Sequence, residues 1–290
     1  MSDKRTYGFI GLGQMGGPMA DNIAKAGLEL HVFDAAGTKG RAHEKAIAHD
    51  SLAGVLGNAD TVFFSLPDGN ICTTVAREIV QINDRKTSVV VDLSTIGTQA
   101  AQDIDVILKD AGISYIDAPV SGGRRGAIAG SIAIMAAGPK ALYDEHVDAF
   151  KTFAKNPFYV GEAAGQGQVV KMLNNYLSAM AMTASTEAVL FGLSQGLEMK
   201  TILDVVNVST GRNTATEDKF PNRVMTETYD AGFFAKLLAK DVRLFKENST
   251  RAGTPNQLGV LLSGIWDKFA AEQPDADLTR IYEFVRDGKA

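Results

Sequence analysis

The chain of 290 residues holds one cysteine, Cys72, so no internal disulfide is available. That scarcity fits a reducing compartment. The four histidines, His31, His43, His49 and His146, are scattered. With no clustered His/Cys ligand pattern, no metal is expected. An excess of positive charge is missing too. Lys and Arg number 29 against 34 Asp and Glu, a net charge of -5. Neither nucleic acid nor an anionic membrane is therefore expected as a partner. No uninterrupted apolar run reaches membrane-spanning length. The opening MSDKRTYGFIGLG lacks the apolar stretch and cleavage site of a signal peptide, which makes a cytoplasmic location the expectation. There are no repeats and no low-complexity tract. What is present is 45% hydrophobic and 22% charged residues, the balance of a globular chain long enough for two domains or one large one.

The first half alternates short β-like runs with helical patterns. Strands are expected at Tyr7 to Ile10, Leu30 to Phe33, Thr61 to Leu66, Ser88 to Val91 and Tyr115 to Asp117, then at Ser131 to Gly138 and Phe158 to Val160. Connections of helix length separate the early ones. This rhythm predicts an α/β fold with a doubly wound parallel sheet covered on both faces. The second half changes character. From Gly167 to about Leu193 no proline occurs, and Ala, Met and Leu dominate. A helix of roughly 25 residues is near 40 Å long. Being apolar on most faces, it is expected to be buried by its neighbours. Further helices are expected near Lys200 to Asn207, Lys236 to Ser249, Asn256 to Glu272 and Leu278 to Arg286. The domain boundary falls near Ala164, with a dinucleotide-binding domain over 1–164 and an all-helical domain over 165–290.

GFIGLGQMGGPMADNIAKAG puts Gly11, Gly13 and Gly16 in GxGxxG spacing between a predicted strand and a helical pattern, the context this motif requires. Gly11 allows the tight turn, Gly13 lets backbone approach a pyrophosphate, and Gly16 lets helix pack on strand. Phosphate charge would sit over free N–H groups at the helix start. Asp34 ends the second strand. A carboxylate there accepts hydrogen bonds from an adenosine ribose and repels a 2′-phosphate, which favours NAD over NADP; Lys39 and Arg41 just beyond weaken that preference. Ser65-Leu66-Pro67-Asp68 and Asp92-Leu93-Ser94-Thr95 follow the third and fourth strands, where such sheets bind ligands. Turn chemistry explains them equally well. Asp117-Ala118-Pro119-Val120-Ser121-Gly122-Gly123 exposes backbone N–H groups able to hold a carboxylate. Arg124 and Arg125 come next, either reinforcing an anionic substrate site or lying on solvated surface.

The long helix carries Lys171 and Asn175 four residues apart, on one face. A buried ammonium without a partner is expensive. Burial lowers a lysine's pKa, and a nearby nicotinamide cation lowers it further, so such an amine can exchange a proton near neutral pH. A salt bridge to Glu187 or a more distant acid is the structural alternative. Asn174 points about 100° away and is less suited to share the work.

These motifs resemble the β-hydroxyacid dehydrogenase family, which includes 3-hydroxyisobutyrate dehydrogenases, tartronate semialdehyde reductases and 6-phosphogluconate dehydrogenases. The resemblance runs from about Tyr7 to Arg286 and rests on GFIGLGQMG, SLP, DLST, DAPVSGG, GQGQVVKMLNN and LLAKDVRL in that order. It implies that Gly11, Leu12, Gly13, Gln14, Met15 and Gly16 form the cofactor loop. Leu66, Pro67 and Thr95 become nicotinamide-side contacts, and Ser121, Gly122 and Gly123 the cradle for a substrate carboxylate. Lys171 becomes the proton shuttle and Asn175 its substrate-binding companion. Lys240 and Asp241 reach cofactor and substrate from the helical domain. It also favours a homodimer or homotetramer.

Two departures stand out. Arg124 and Arg125 replace the usual residues after the double glycine. STGRNTATEDKFPNR, Ser209 to Arg223, carries Asn213 and Thr214 where a serine-tryptophan pair stands in 3-hydroxyisobutyrate dehydrogenases. A more polar pocket, suited to a substrate with another oxygen, is the expectation. The reading is an NAD-dependent dehydrogenase for a small 3-hydroxy acid or its semialdehyde, with NADP possible. The alternatives are an NADPH-dependent semialdehyde reductase and a non-catalytic NAD-binding sensor or scaffold.

Overall fold

The computed structural model describes residues 5–290. The chain divides into two compact units, Met1–Lys171 and Met172–Ala290. In chain order the first unit contains β1 (Tyr7–Ile10), α1 (Gly16–Lys25), β2 (Leu30–Phe33), β3 (Ile47–Ala48), α2 (Leu52–Leu56), β4 (Thr61–Phe64), α3 (Gly69–Gln81), β5 (Val89–Asp92) and α4 (Thr98–Asp110). There follow β6 (Ser114–Asp117), β7 (Val120–Ser121), α5 (Gly123–Ala129), β8 (Ile132–Ala137), α6 (Lys140–Phe150) and β9 (Ala154–Gly161). The long helix α7 (Gln166–Ser194) leads into the helical unit, with α8 (Met199–Asn207), α9 (Ala235–Arg251), α10 (Gln257–Glu272) and α11 (Ile281–Arg286).

The nine strands form one sheet in the order β3-β2-β1-β4-β5-β6-β8-β7, with β9 paired to β8. From β3 through β6 every pairing is parallel. The order reverses beside β1, which places the ligand crevice of a doubly wound sheet at the β1 and β4 ends. One expectation is corrected here: the sheet is not parallel throughout, because β8 runs antiparallel to β6 and β7. Strand β7 continues β6 in the same direction, both antiparallel to β8, and the chain reverses between β7 and β8 through α5.

Alternation along the strands explains the two-faced cover. Phe63, Val89 and Val91 join one core with Met19 and Ile23 of α1 and Phe150 of α6. Val62, Phe64 and Val90 join the other with Val55 of α2, Ile79 of α3 and Ile104 of α4. Ser51 caps α2 and Asp68 caps α3, each accepting a backbone N–H of the first turn. Asp68 is thus a capping residue.

The helical unit packs around Trp266, Phe269 and Phe220. Trp266 is wholly buried and its indole N–H donates to Thr183 Oγ1 at 3.1 Å. Between α8 and α9 lies a segment absent from the sequence reading, a π-helix over Ala215–Val224 that contains Pro221. A second expectation is corrected as well. α7 is not buried on all sides by its own chain: Leu177 is 62% exposed and Phe191 69% exposed, with Val169 and Leu173 also open. By length and composition alone α7 is long and apolar enough to cross a membrane. Its Gln168, Lys171 and Asn175 are nonetheless buried polar residues of the fold.

Candidate active site

The loop after β1 is built by backbone demands. Gly11 has φ +95°, and a Cβ there would lie 2.3 Å from the Ser65 carbonyl oxygen. A Cβ on Gly16 would lie 1.9 Å from the Gly11 carbonyl oxygen. Both positions require glycine for close approach. At Gly13 a Cβ would meet nothing within 4 Å. Open space therefore lies over the middle of the loop, and Gly13 and Gln14 are exposed. The N–H groups of Gly13, Gln14 and Met15 take no backbone acceptor among the described residues. Such a group of donors suits an anion at the start of α1.

Asp34 follows β2 and ties this loop down. Its Oδ2 accepts the Leu12 N–H at 2.6 Å and its Oδ1 accepts the Ala36 N–H at 2.8 Å. Each carboxylate oxygen keeps a further lone pair, so the group can also accept from a sugar hydroxyl. Residues 36–41 and Asp50 line an open concavity beside it. Lys39 reaches 3.9 Å from Asp50 there, and both are well exposed. Free N–H groups, an open approach at Gly13 and a carboxylate at the end of β2 fit a dinucleotide.

The loops after β4 and β5 are joined to each other and to α7. Ser94 Oγ accepts the Leu66 N–H at 2.9 Å. Gln168, with no exposed surface, lies among four partners. Its Oε1 accepts the N–H groups of Ile96 at 2.8 Å and Gly97 at 3.2 Å. Its Nε2 donates to Ser94 O at 3.0 Å and to Asp117 Oδ1 at 2.6 Å. Asp117 Oδ2 accepts the backbone N–H groups of Gly165 at 3.0 Å and Gln168 at 3.1 Å. The carboxylate from β6 thereby caps α7 across the fold, an acid at a helix N-terminus. Burial pushes Asp117 up to about 7 against the pull of these donors. Its β5 neighbour in the sheet, Asp92, is pushed up to about 6 by burial. Asp92 accepts the Ser94 N–H and the Tyr115 hydroxyl.

Lys171 follows Gln168 by three residues and is 7% exposed. Glu187 stands sixteen residues further along the same helix, about 24 Å at 1.5 Å per residue. A salt bridge between those two is out of reach within the chain. In the helical unit the other expected residues meet. Asn175 Nδ2 donates to Asp241 Oδ2 at 2.5 Å, and Asn174 Nδ2 donates to Asn175 Oδ1 at 3.0 Å. Lys240 Nζ lies 3.3 Å from Asp241 Oδ1, an ion contact. That buried oxygen accepts no hydrogen bond, which leaves an acceptor for a polar ligand group beside Asn175.

Ser121 ends β7, and Gly122 and Gly123 lead into α5 with φ +137° and +62°. A Cβ on Gly122 would touch Ile132 Cγ2 at 2.9 Å, while Gly123 faces open space. Arg124 and Arg125 are exposed. Asn213 is tied to its own segment and to α7. Its Oδ1 accepts the N–H groups of Ala215 and Thr216, and its Nδ2 donates to Ser185 Oγ at 3.1 Å. The asparagine caps the π-helix. Thr214 is exposed.

A β1-centred doubly wound sheet with this loop is the fold of a dinucleotide-binding domain, and comparison with known proteins narrows the class. Residues 6–161 match the family model for the NAD binding domain of 6-phosphogluconate dehydrogenase. Residues 165–285 match the model described as the NAD-binding domain of NADP-dependent 3-hydroxyisobutyrate dehydrogenase. The chain belongs to the β-hydroxyacid dehydrogenase family of NAD(P)-dependent oxidoreductases. Among its relatives is the 2-(hydroxymethyl)glutarate dehydrogenase of Eubacterium barkeri, 31% identical over 90% of this chain and 87% of that one. Another is the NAD-dependent L-serine dehydrogenase of Pseudomonas aeruginosa, 32% identical over 89% of this chain and 90% of that one. The solved structure of a Mycobacterium tuberculosis 3-hydroxyisobutyrate dehydrogenase with L-serine superposes with a TM-score of 0.90 at 27% identity. That match covers 97% of this chain and 99% of the other.

The sequence reading passed over Gln168, Asp117 and Ser94 as individual site residues. The signal was present for the first: a glutamine in an otherwise apolar helix start, between two glycines and a lysine.

Proposed function

We propose that this chain is an NAD-preferring dehydrogenase of small 3-hydroxy acids, interconverting the acid and its semialdehyde. The observation that carries the reading is the placement of Lys171. It is buried, one turn beyond a glutamine bonded to the loop after β5 and to the end of β6. The amine is therefore mounted on the same rigid assembly as the loops to which the family resemblance assigns the nicotinamide. The nicotinamide, when bound, accepts the hydride leaving the hydroxyl-bearing carbon. Lys171 takes the hydroxyl proton in that direction and returns one to the forming alkoxide in the other. Asn175 holds the substrate hydroxyl or the amine, and the Ser121-Gly122-Gly123 backbone receives the carboxylate. Asp34 accepts from the adenosine ribose. Lys240 and Asp241 complete the cofactor and substrate contacts, and the enzyme works as a homo-oligomer.

The relatives' named substrates share one chemical core, a hydroxymethyl group on the carbon next to a carboxylate. 3-Hydroxyisobutyrate, L-serine and 2-(hydroxymethyl)glutarate differ only in the remaining substituent of that carbon; glycerate has the same core. We take this core as the substrate class. Lys39 and Arg41 line the concavity beside Asp34, which favours NADPH-dependent reduction of the semialdehyde as the second reading. The test is a panel of these four acids and their semialdehydes with NAD(H) and NADP(H). Turnover of at least one acid, with NAD the better cofactor, is expected. Turnover confined to NADPH and a semialdehyde would establish the second reading. Cofactor binding without any turnover would make the protein a sensor or scaffold.

A further inference from the structure

Gln168 uses every hydrogen-bonding position of its amide. The oxygen has two backbone donors, and the NH2 group has two acceptors. This pattern also fixes the orientation of the amide, since a flipped group would oppose NH2 to two N–H donors. The side chain is wholly buried. It joins three pieces of backbone: the loop after β5, the end of β6 and the first turn of α7. Gly167 makes room for this, because a Cβ there would lie 2.3 Å from Met135 O and 2.9 Å from Asp117 Oδ2.

No ordinary replacement satisfies the same four groups. Methionine fills the volume but leaves buried donors and acceptors unpaired. Asparagine is one methylene short. Glutamate serves Ile96 and Gly97 but turns its other oxygen toward Ser94 O and the Asp117 carboxylate.

We infer that Gln168 and Asp117 are positioning residues: their paired side chains latch the first turn of α7 to the loop after β5 and so set where the Lys171 amine sits. The inference rests on the reading of Lys171 as the proton shuttle. The latch touches no ligand and acts through the helix. A displacement on the order of 1 Å in a reacting group can cost about 10²-fold in rate, so the effect falls on kcat more than on cofactor affinity.

The test uses the full chain and whichever of 3-hydroxyisobutyrate, glycerate or L-serine the wild type oxidises fastest with NAD. Three variants are compared: Gln168→Glu, Gln168→Glu/Asp117→Asn and Lys171→Ala. In the first, two carboxyl groups meet in a buried site and only one can ionise freely. The groups around them are Asp92 on β5, Tyr115 on β6, Cys72 on α3 and Lys171 further along α7. Gln168→Glu is expected to bind NADH, followed by fluorescence, as the wild type does. At pH 8.5 its kcat falls by roughly 10²-fold. Relative to wild type at each pH, kcat recovers about tenfold or more toward pH 6 as the pair takes up a shared proton. Adding Asp117→Asn restores donor-to-acceptor pairing between the two side chains, with Ser94 O alone left facing the introduced carboxylate, and at least a tenfold part of the loss at pH 8.5 is regained.

Wild-type kcat in Gln168→Glu at pH 8.5 would overturn the latch, as would a loss that neither acid nor the second substitution repairs. If Gln168→Glu fails to bind NADH, the double variant decides. Recovery of binding and turnover supports the pairing, and no recovery overturns it. Lys171→Ala separates the two readings. Lost turnover there with unimpaired Gln168→Glu sinks the latch alone. Retained turnover in Lys171→Ala sinks the proton shuttle whatever Gln168→Glu does.

Discussion

Two helix starts in this protein share a Gly-x-Gly pattern and put it to opposite uses. Gly11 and Gly165 have nearly the same φ, +95° and +94°. Each precedes a helix. Before α1 the Gly11 N–H donates to Phe33 O and the Leu12 N–H to Asp34, the N–H groups of Gly13, Gln14 and Met15 take no backbone acceptor among the described residues, and no acid sits in the first turn. Before α7 the donors of Gly165 and Gln168 are filled by the Asp117 carboxylate. One start leaves donors that suit an external anion; the other gives them to an internal one. The comparison teaches that a glycine turn into a helix marks a close approach, and that only the partner of the N–H groups tells binding from bracing.

The contrast can be broken in order of effect. The internal anion carries the largest pH signature. Asp92 and Asp117 are raised by burial from 3.8 to about 6 and about 7. A raised acid contributes stability that is full below its unfolded value and lost as pH rises through the folded value. Between about pH 4 and pH 6 the wild type should lose stability relative to Asp92→Asn. A shift of roughly 2 units corresponds to ~3 kcal/mol at most. Denaturant midpoints at several pH values check this, and parallel curves for the two proteins would contradict it.

Gly167→Ala comes next. Its methyl must displace Met135 O or Asp117, at about 1–3 kcal/mol of overpacking. A Tm lowered by several degrees is expected by calorimetry. Gly13→Ala should do the reverse, leaving Tm unchanged because its Cβ meets no atom. NADH affinity should fall by about tenfold, ~1.4 kcal/mol, since the methyl fills the approach to the loop. Equal Tm losses in the two alanine variants would erase the distinction between the two starts. The smallest effect is expected for Asp34→Ala, which should lose the preference for NAD over NADP. It should weaken both cofactors slightly as well, because Leu12 loses its acceptor. An unaltered cofactor ratio would show that another residue reads the ribose.

What was legible in the sequence follows from the same contrast. Strands such as Thr61–Phe64 and Val89–Asp92 are short β-branched and aromatic runs, and α7 is a long proline-free stretch, so their period and length identify them. The glycine loop was legible because its function is a backbone demand that only glycine meets. The two-residue strands β3 and β7 have no period to detect. Reversal of β8 takes place through the short α5 segment after Ser121, and its Gly-Gly-Arg-Arg start does not announce it. Ala215–Val224 has charged residues, a proline and no helical repeat, yet packs Phe220 and Val224 inward. Asn213 read as a pocket residue because a sequence does not show that its amide is already bonded to the next turn. Gln168 stayed hidden for the related reason that its four partners come from distant segments. The exposed side of α7 was misjudged because apolar residues state a preference for burial without naming what buries them.

The kcat of Lys171→Ala, measured beside its NADH dissociation constant, bears most directly on the central claim. The account predicts a loss of at least ~10²-fold in kcat, the scale of a lost proton-transfer group, with NADH bound as tightly as before. Turnover at the wild-type rate would contradict it.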